Sequence, residues 1–126
     1  MYVQQYNVIV EKLKIKKILD DDFMTLAIEG ELDASTSIQL DKVIIQAIED
    51  HYYNILVDCK DLKYISSAGL GVFVSHMSDL RSNNGQFVLY QLTKNVYDTF
   101  KILGLHDLIT ITNNAEEAMN FLVHKL

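Results

Sequence analysis

Proline is absent from this chain of 126 residues, and so are Gly/Ser-rich linkers, low-complexity tracts and internal repeats, so nothing punctuates it into separable modules. A length of this order suits one domain, residues 1–126 with a core over about 6–124, that buries roughly two-thirds of its unfolded surface. Cysteine is nearly missing. Cys59 stands alone in an apolar strand pattern, which excludes an intramolecular disulfide and reads as a small buried hydrophobe. Basic charge is scarce too: 11 Lys+Arg stand against 17 Asp+Glu, a net of −6. That balance lacks the footprint on which binding to nucleic acid or an anionic membrane depends. No run approaches the ~20 apolar residues needed to span a bilayer, and Met1-Tyr2-Val3-Gln4-Gln5 opens without a basic leader segment. A soluble cytoplasmic protein is the expectation.

The motifs of common catalysts are missing as well. Ser67 has Ile65 two positions before it, so there is no Gly-x-Ser-x-Gly elbow, and no Walker-type phosphate loop occurs. His51, His76, His106 and His124 lack metal-ligand spacing and read as surface or helix-end residues. Tyr52, Tyr53, Tyr90 and Tyr97 read as core or rim packing. Neither an enzyme nor a resident cofactor or metal is expected.

What is present is an alternation of strands and helices. Asn7–Glu11, Lys14–Leu19 and Phe23–Glu29 read as strands, the last two joined by the acidic turn Asp20-Asp21-Asp22. Gly30 to Thr36 then breaks the strand and offers capping residues to a helix with Leu40, Val43, Ile44, Ala47 and Ile48 on one face. Asn54–Cys59 is a nearly continuous apolar run, the pattern of a strand covered on both sides and central in a sheet. A second helix carries Leu70, Phe73, Val74, Met77 and Leu80 and ends at Ser82-Asn83-Asn84-Gly85. Strand Gln86–Tyr90 follows, then a helix opened by Thr93-Lys94-Asn95, packed through Val96, Phe100 and Leu103 and stopped at Gly104. Leu108–Ile111 reads as a last strand, and a terminal helix turns Ala115, Ala118, Met119, Leu122 and Val123 one way. This order implies an α/β sheet with parallel segments joined by right-handed crossovers.

The most informative segment is Tyr64-Ile65-Ser66-Ser67-Ala68-Gly69-Leu70-Gly71, where a strand hands over to a helix at two serines, at the C-terminal end of what reads as a central strand. Hydroxyls there satisfy the orphan N–H groups of a first helical turn, whose partial positive charge also tolerates an added phosphate. A partner docked on the same spot has no such tolerance, because phosphorylation adds about −1.5 to −2 units of charge. The alternative is that Ser66 and Ser67 only cap the helix. Asp33 has two compatible roles, capping the first helix or bordering the serines. Gly69 and Gly71 each cost about 1 kcal/mol relative to Ala in a helix, which points to close backbone approach or a partner contact.

This segment resembles the signature of STAS domains, specifically bacterial anti-sigma factor antagonists, and Gly30-Glu31-Leu32-Asp33 resembles their second motif. The likeness runs from about Phe23 to the terminal helix. It implies a single STAS-type domain, a mixed β-sheet with about four α-helices packed against it. It also implies a phosphorylatable serine, which the Gly-Leu-Gly places at Ser67, with Asp33 beside it and a partner-binding surface of Asp33, Ser66, Ser67, Ala68, Gly69 and Leu70. In such proteins the unphosphorylated form sequesters an anti-sigma factor that is itself a serine kinase. Phosphorylation releases that factor, and a PPM-type phosphatase resets the switch; ATP and magnesium belong to the kinase. The chain departs from the pattern at Ser66, where many members carry an acid, and at Ala68, where they carry a second hydroxyl, so Ser66 becomes a minor acceptor. A scaffold of the same fold that is never phosphorylated, and an enzyme using Ser67 as nucleophile, are the rival readings.

Overall fold

The computed structural model describes residues 3–10 and 12–125. Three antiparallel strands come first: β1 (Gln4–Val10), β2 (Leu13–Leu19) and β3 (Met24–Leu32). They are followed by α1 (Ser37–Glu49), β4 (Asn54–Asp58), β5 (Leu62–Ile65), α2 (Ser67–Ser82), β6 (Gln86–Tyr90), α3 (Lys94–Ile102), a 3-10 turn at Leu105–Asp107, β7 (Thr110–Thr112) and α4 (Ala115–Lys125). The sheet is mixed and seven-stranded, in the order β1-β2-β3-β4-β6-β7, with β5 pairing β3 off that path. Beyond β3 the pairings are parallel. The α/β architecture expected from the sequence, a mixed sheet with four helices packed against it, is therefore present, and β4, with Ile55, Leu56 and Val57 all buried, lies centrally as its unbroken apolar run requires.

Strand alternation divides the core in two. Ile15, Leu26, Ile28, Ile55, Val57, Phe87 and Leu89 point to the face covered by α1, α2 and α3, where Phe73 meets Phe87 edge-on at 5.3 Å. Leu56, Val88 and Tyr90 point to the other, where Ala118 and Leu122 of α4 cover them. Cys59 is buried just past β4, and that burial pushes its thiol pKa up, so it behaves as the hydrophobe its surroundings suggest. Among the described residues no helix is long and apolar enough to cross a membrane.

Several boundaries differ from the sequence reading, each for a local reason. β1 starts at Gln4, because Gln4–Tyr6 pair with Lys17–Leu19; Glu11, expected to end it, lies outside the described residues. β3 does not stop at Glu29 but runs on to Leu32 through Gly30, which takes φ +112° and absorbs a register shift between Gly30 and Glu31. A Cβ at Gly30 would collide with the carbonyl oxygen of Lys12. The last strand begins at Thr110, two residues late, because the N–H groups of Leu108 and Ile109 both donate to the Leu105 carbonyl and prolong the turn. Val74, Leu103 and Val123, assigned to buried helix faces, are exposed. Leu103 caps the end of α3 and so falls beyond the turns that face the sheet.

Gly30→Ala combines a left-handed backbone with a clash against main chain. It is expected to lower unfolding stability by about 2 kcal/mol or more, read from the midpoint of urea denaturation.

Candidate functional site

The candidate site forms where β3 and β5 end together. Leu32 is registered against Ile65, and the Ser66 N–H donates to the Leu32 carbonyl at 2.8 Å. Asp33 and Ser66, the next residue on each strand, are thereby set side by side although 33 positions separate them in the chain. The strand leading to the serines is not a central one: β5 has four residues and pairs β3 off the main strand order. It is β3, flanked by β2 and β4, that anchors the site to the middle of the sheet.

The two serines hold different positions. Ser66 is the N-cap of α2, with extended backbone and its Oγ accepting the N–H of Gly69 at 3.4 Å. Ser67 is the first helical residue and is exposed, as is Ala68. Among the described residues no hydrogen bond engages the Ser67 hydroxyl, no histidine included. The cap thus occupies Ser66 and leaves Ser67 uncommitted, at a helix end whose first turn carries no acidic side chain and which favours negative charge.

Gly69 and Gly71 separate the two explanations for glycine in this helix. A Cβ at Gly69 would come within 2.8 Å of Ile65 Cγ1 and 3.0 Å of Leu32 Cβ, so this glycine lets α2 start directly over the ends of β3 and β5. At Gly71 a Cβ would meet nothing within 4 Å. Gly69 and Leu70 are buried, so the accessible part of this segment narrows to half-buried Ser66 and exposed Ser67 and Ala68.

Asp33 organises the β3–α1 turn. Its Oδ1 accepts the N–H groups of Ser35 and Thr36, both at 2.9 Å, and the Ser35 hydroxyl at 2.8 Å. Thr36, buried, returns the favour: its hydroxyl accepts the Asp33 N–H at 2.9 Å and donates to the Glu31 carbonyl at 2.7 Å. On the other oxygen, Lys12 Nζ approaches Asp33 Oδ2 at 3.4 Å. The donors of its own turn, the Thr36 N–H foremost and then the Ser35 hydroxyl, hold the carboxyl far below its ordinary range. Asp33 therefore fastens the turn leading into α1, whose N-cap position is Thr36 without a side-chain cap bond, and it follows β3 next to the strand end that leads to the serines. Ser35 and Thr36 were legible as capping residues; Lys12 had no local signal, since a bulged strand and an antiparallel pairing bring it there.

One histidine corrects the sequence reading. His76 is neither exposed nor at a helix end: mid-way along α2, its Nε2 lies 2.6 Å from Asp41 Oδ1 and ties α2 to α1. His51 does end α1, with φ +66°, and His106 sits in the 3-10 turn; the side chain of His124 lies outside the described residues. Among the described residues no group of three His, Cys, Asp or Glu side chains is placed to hold a metal ion.

With this geometry in place, comparison with known proteins is decisive as to family. The model of the STAS domain matches residues 14–118. The chain belongs to the STAS domain family. It is 29% identical over 104 residues to an anti-sigma-B factor antagonist of Staphylococcus epidermidis, covering 82% of this chain and 96% of that one. Among solved structures it is similar to a putative anti-sigma factor antagonist of Thermotoga maritima, with a TM-score of 0.77 at 24% identity over 82% of this chain and 90% of that one. It is also similar to the anti-sigma factor antagonist SpoIIAA in its unphosphorylated form, with a TM-score of 0.72 at 20% identity over 96% and 97% of the two chains. The phosphorylated form of SpoIIAA gives 0.62 at 20% identity over 94% and 99%. At these identities the solved structures attest the STAS fold.

The serines are separable by stability. Ser66→Ala removes the α2 cap and is expected to cost about 1 kcal/mol, whereas Ser67→Ala should stay within about 0.5 kcal/mol of wild type. Gly71→Ala is expected to stabilise by about 0.5–1 kcal/mol, while Gly69→Ala destabilises; urea denaturation of the four variants checks all of these. In acid, the depressed Asp33 carboxyl has a signed consequence. Its contribution to stability is complete above the ordinary carboxyl value of 3.8 and declines as pH falls below it. Asp33→Asn should accordingly flatten the acid limb of the melting-temperature profile, measured by circular dichroism from neutral pH downward.

Proposed function

We propose that this chain is an anti-sigma factor antagonist, a non-enzymatic binding module switched by phosphorylation of Ser67. The observation that carries the reading is the pairing of a committed and an uncommitted hydroxyl at one exposed helix start: Ser66 is spent on the cap, and Ser67 is free and accessible. The names of the relatives support it, and so does the existence of SpoIIAA in unphosphorylated and phosphorylated forms. The unphosphorylated chain would sequester an anti-sigma factor that is itself a serine kinase and brings its own ATP and magnesium. Phosphate on Ser67 would dissolve that complex, and a PPM-type phosphatase would restore it. The docking surface consists of Asp33, Ser66, Ser67 and Ala68, flanked by two exposed apolar side chains on the same elements, Tyr64 of β5 and Ile38 in the first turn of α1.

The energetics follow from where the phosphate goes. In the free protein it faces water and the N-terminus of α2, which favours an anion. In the complex it is desolvated against a surface suited to a neutral hydroxyl, and an uncompensated interfacial charge of this kind costs roughly 2 to 5 kcal/mol, or on the order of 30-fold to several thousand-fold in dissociation constant.

Calorimetric titration of the host's cognate anti-sigma kinase with wild-type, Ser67→Ala and Ser67-phosphorylated protein tests the switch. Wild type and Ser67→Ala should bind alike, the phosphorylated form should bind weakly, and intact-mass spectra should show phosphate on wild type but not on Ser67→Ala. Equal affinities for all three, with circular dichroism showing each folded, would favour a scaffold instead.

A further inference from the structure

The two ends of the strand order are built differently. β7 is three residues long, and shortness is one of the devices by which proteins blunt a sheet edge. β1 has seven residues, Gln-Gln-Tyr-Asn-Val-Ile-Val, with no charge, no glycine and no proline, and it pairs with β2 along its whole length without a register shift. None of the usual protections is present on it. Among the described residues only β2 pairs with it, so N–H and C=O groups on its outer side form a ready template for another strand. β1 also lies outside residues 14–118, the span shared with the family model.

We propose that β1 pairs with β1 of a second copy of this chain, antiparallel about a two-fold axis through Asn7, so that two sheets become one. Side-chain placement favours this register. Tyr6 and Val8 stand opposite Lys17 and Ile15 on the helix-covered face, and Asn7 and Ile9 stand opposite Lys16 and Lys14 on the other. The axis sets Tyr6 against the partner's Val8, an aromatic and β-branched pair of the kind that stabilises cross-strand contacts, and Gln5 against the partner's Ile9. Charge favours it too. A chain of net −6 repels its own copy over most of its surface, but β1 is neutral. Its hairpin with β2 carries Lys12 and Lys14 at one end and the Asp20-Asp21-Asp22 turn at the other. Antiparallel pairing brings the lysine end of each copy alongside the aspartate end of the other.

Sedimentation velocity of the full chain over a wide concentration range should show a monomer–dimer equilibrium. Asn7→Lys places like charges face to face on the axis and should weaken the dimer at least about tenfold, with an unchanged circular dichroism spectrum. Asn7→Cys faces itself at about 5 Å between Cα atoms, within disulfide range. It should cross-link under mild oxidation while the wild-type chain, whose Cys59 is buried, does not. A chain that is monomeric at every concentration would overturn the proposal, as would a dimer that Asn7→Lys leaves intact or one cross-linked as readily through Gln5→Cys as through Asn7→Cys. All these outcomes are independent of Ser67.

Discussion

The left-handed backbone at Gly30 is the constraint on which the site depends. Before it, β3 pairs with β4 through Met24–Ala27; from it onward, β3 pairs with β5 through Gly30–Leu32. One strand therefore serves two parallel neighbours in succession, and the change of neighbour needs the bulge that a positive φ permits. Gly30 N–H donates to the Asp61 carbonyl and Glu31 N–H to the Lys12 carbonyl, each at 3.0 Å, so the kink is held from both sides. Without that continuation β5 would have no partner, Ser66 would not donate to Leu32, and Asp33 would not lie beside the serines.

On this frame the polar groups fall into two sets. The side chains of Asp33, Thr36 and Ser66 satisfy the backbone where two helices begin and are committed to that task. Ser67 is left over, at the point of highest positive potential on α2. A hydroxyl free of structural duty can be modified without loss of fold, whereas a cap cannot. A change of charge at Ser67 would thereby be confined to the surface and leave the core untouched.

Much of this was legible in the chain. The unbroken apolar run of β4, the amphipathic face of α1, and the serines at the start of α2 all follow from periodicity and capping chemistry that act over a few residues. The departures share a cause as well. Leu103 continues an apolar period past the last turn of α3, and Val74 turns outward although Phe73 before it and Leu80 beyond it are buried; a pattern has no knowledge of where its partner lies. Gly30 looked like a strand terminator because glycine usually is one, yet here it is the residue that lets the strand proceed. His76 looked like a surface residue because its partner, Asp41, is 35 positions away on another helix.

The sequence by itself determined the kinds of elements, their order, and the two motifs that mark the site, since each rests on local backbone preference and side-chain periodicity. The tertiary structure decided which serine is the cap and which is free, that Gly69 is required by packing while Gly71 is not, and that Asp33 is gripped by Lys12 as well as by its own turn. Those outcomes depend on distances between segments remote in the chain. Only the pairing of β3 with β5 and the antiparallel return of β2 set them, and local propensity carries no information about either.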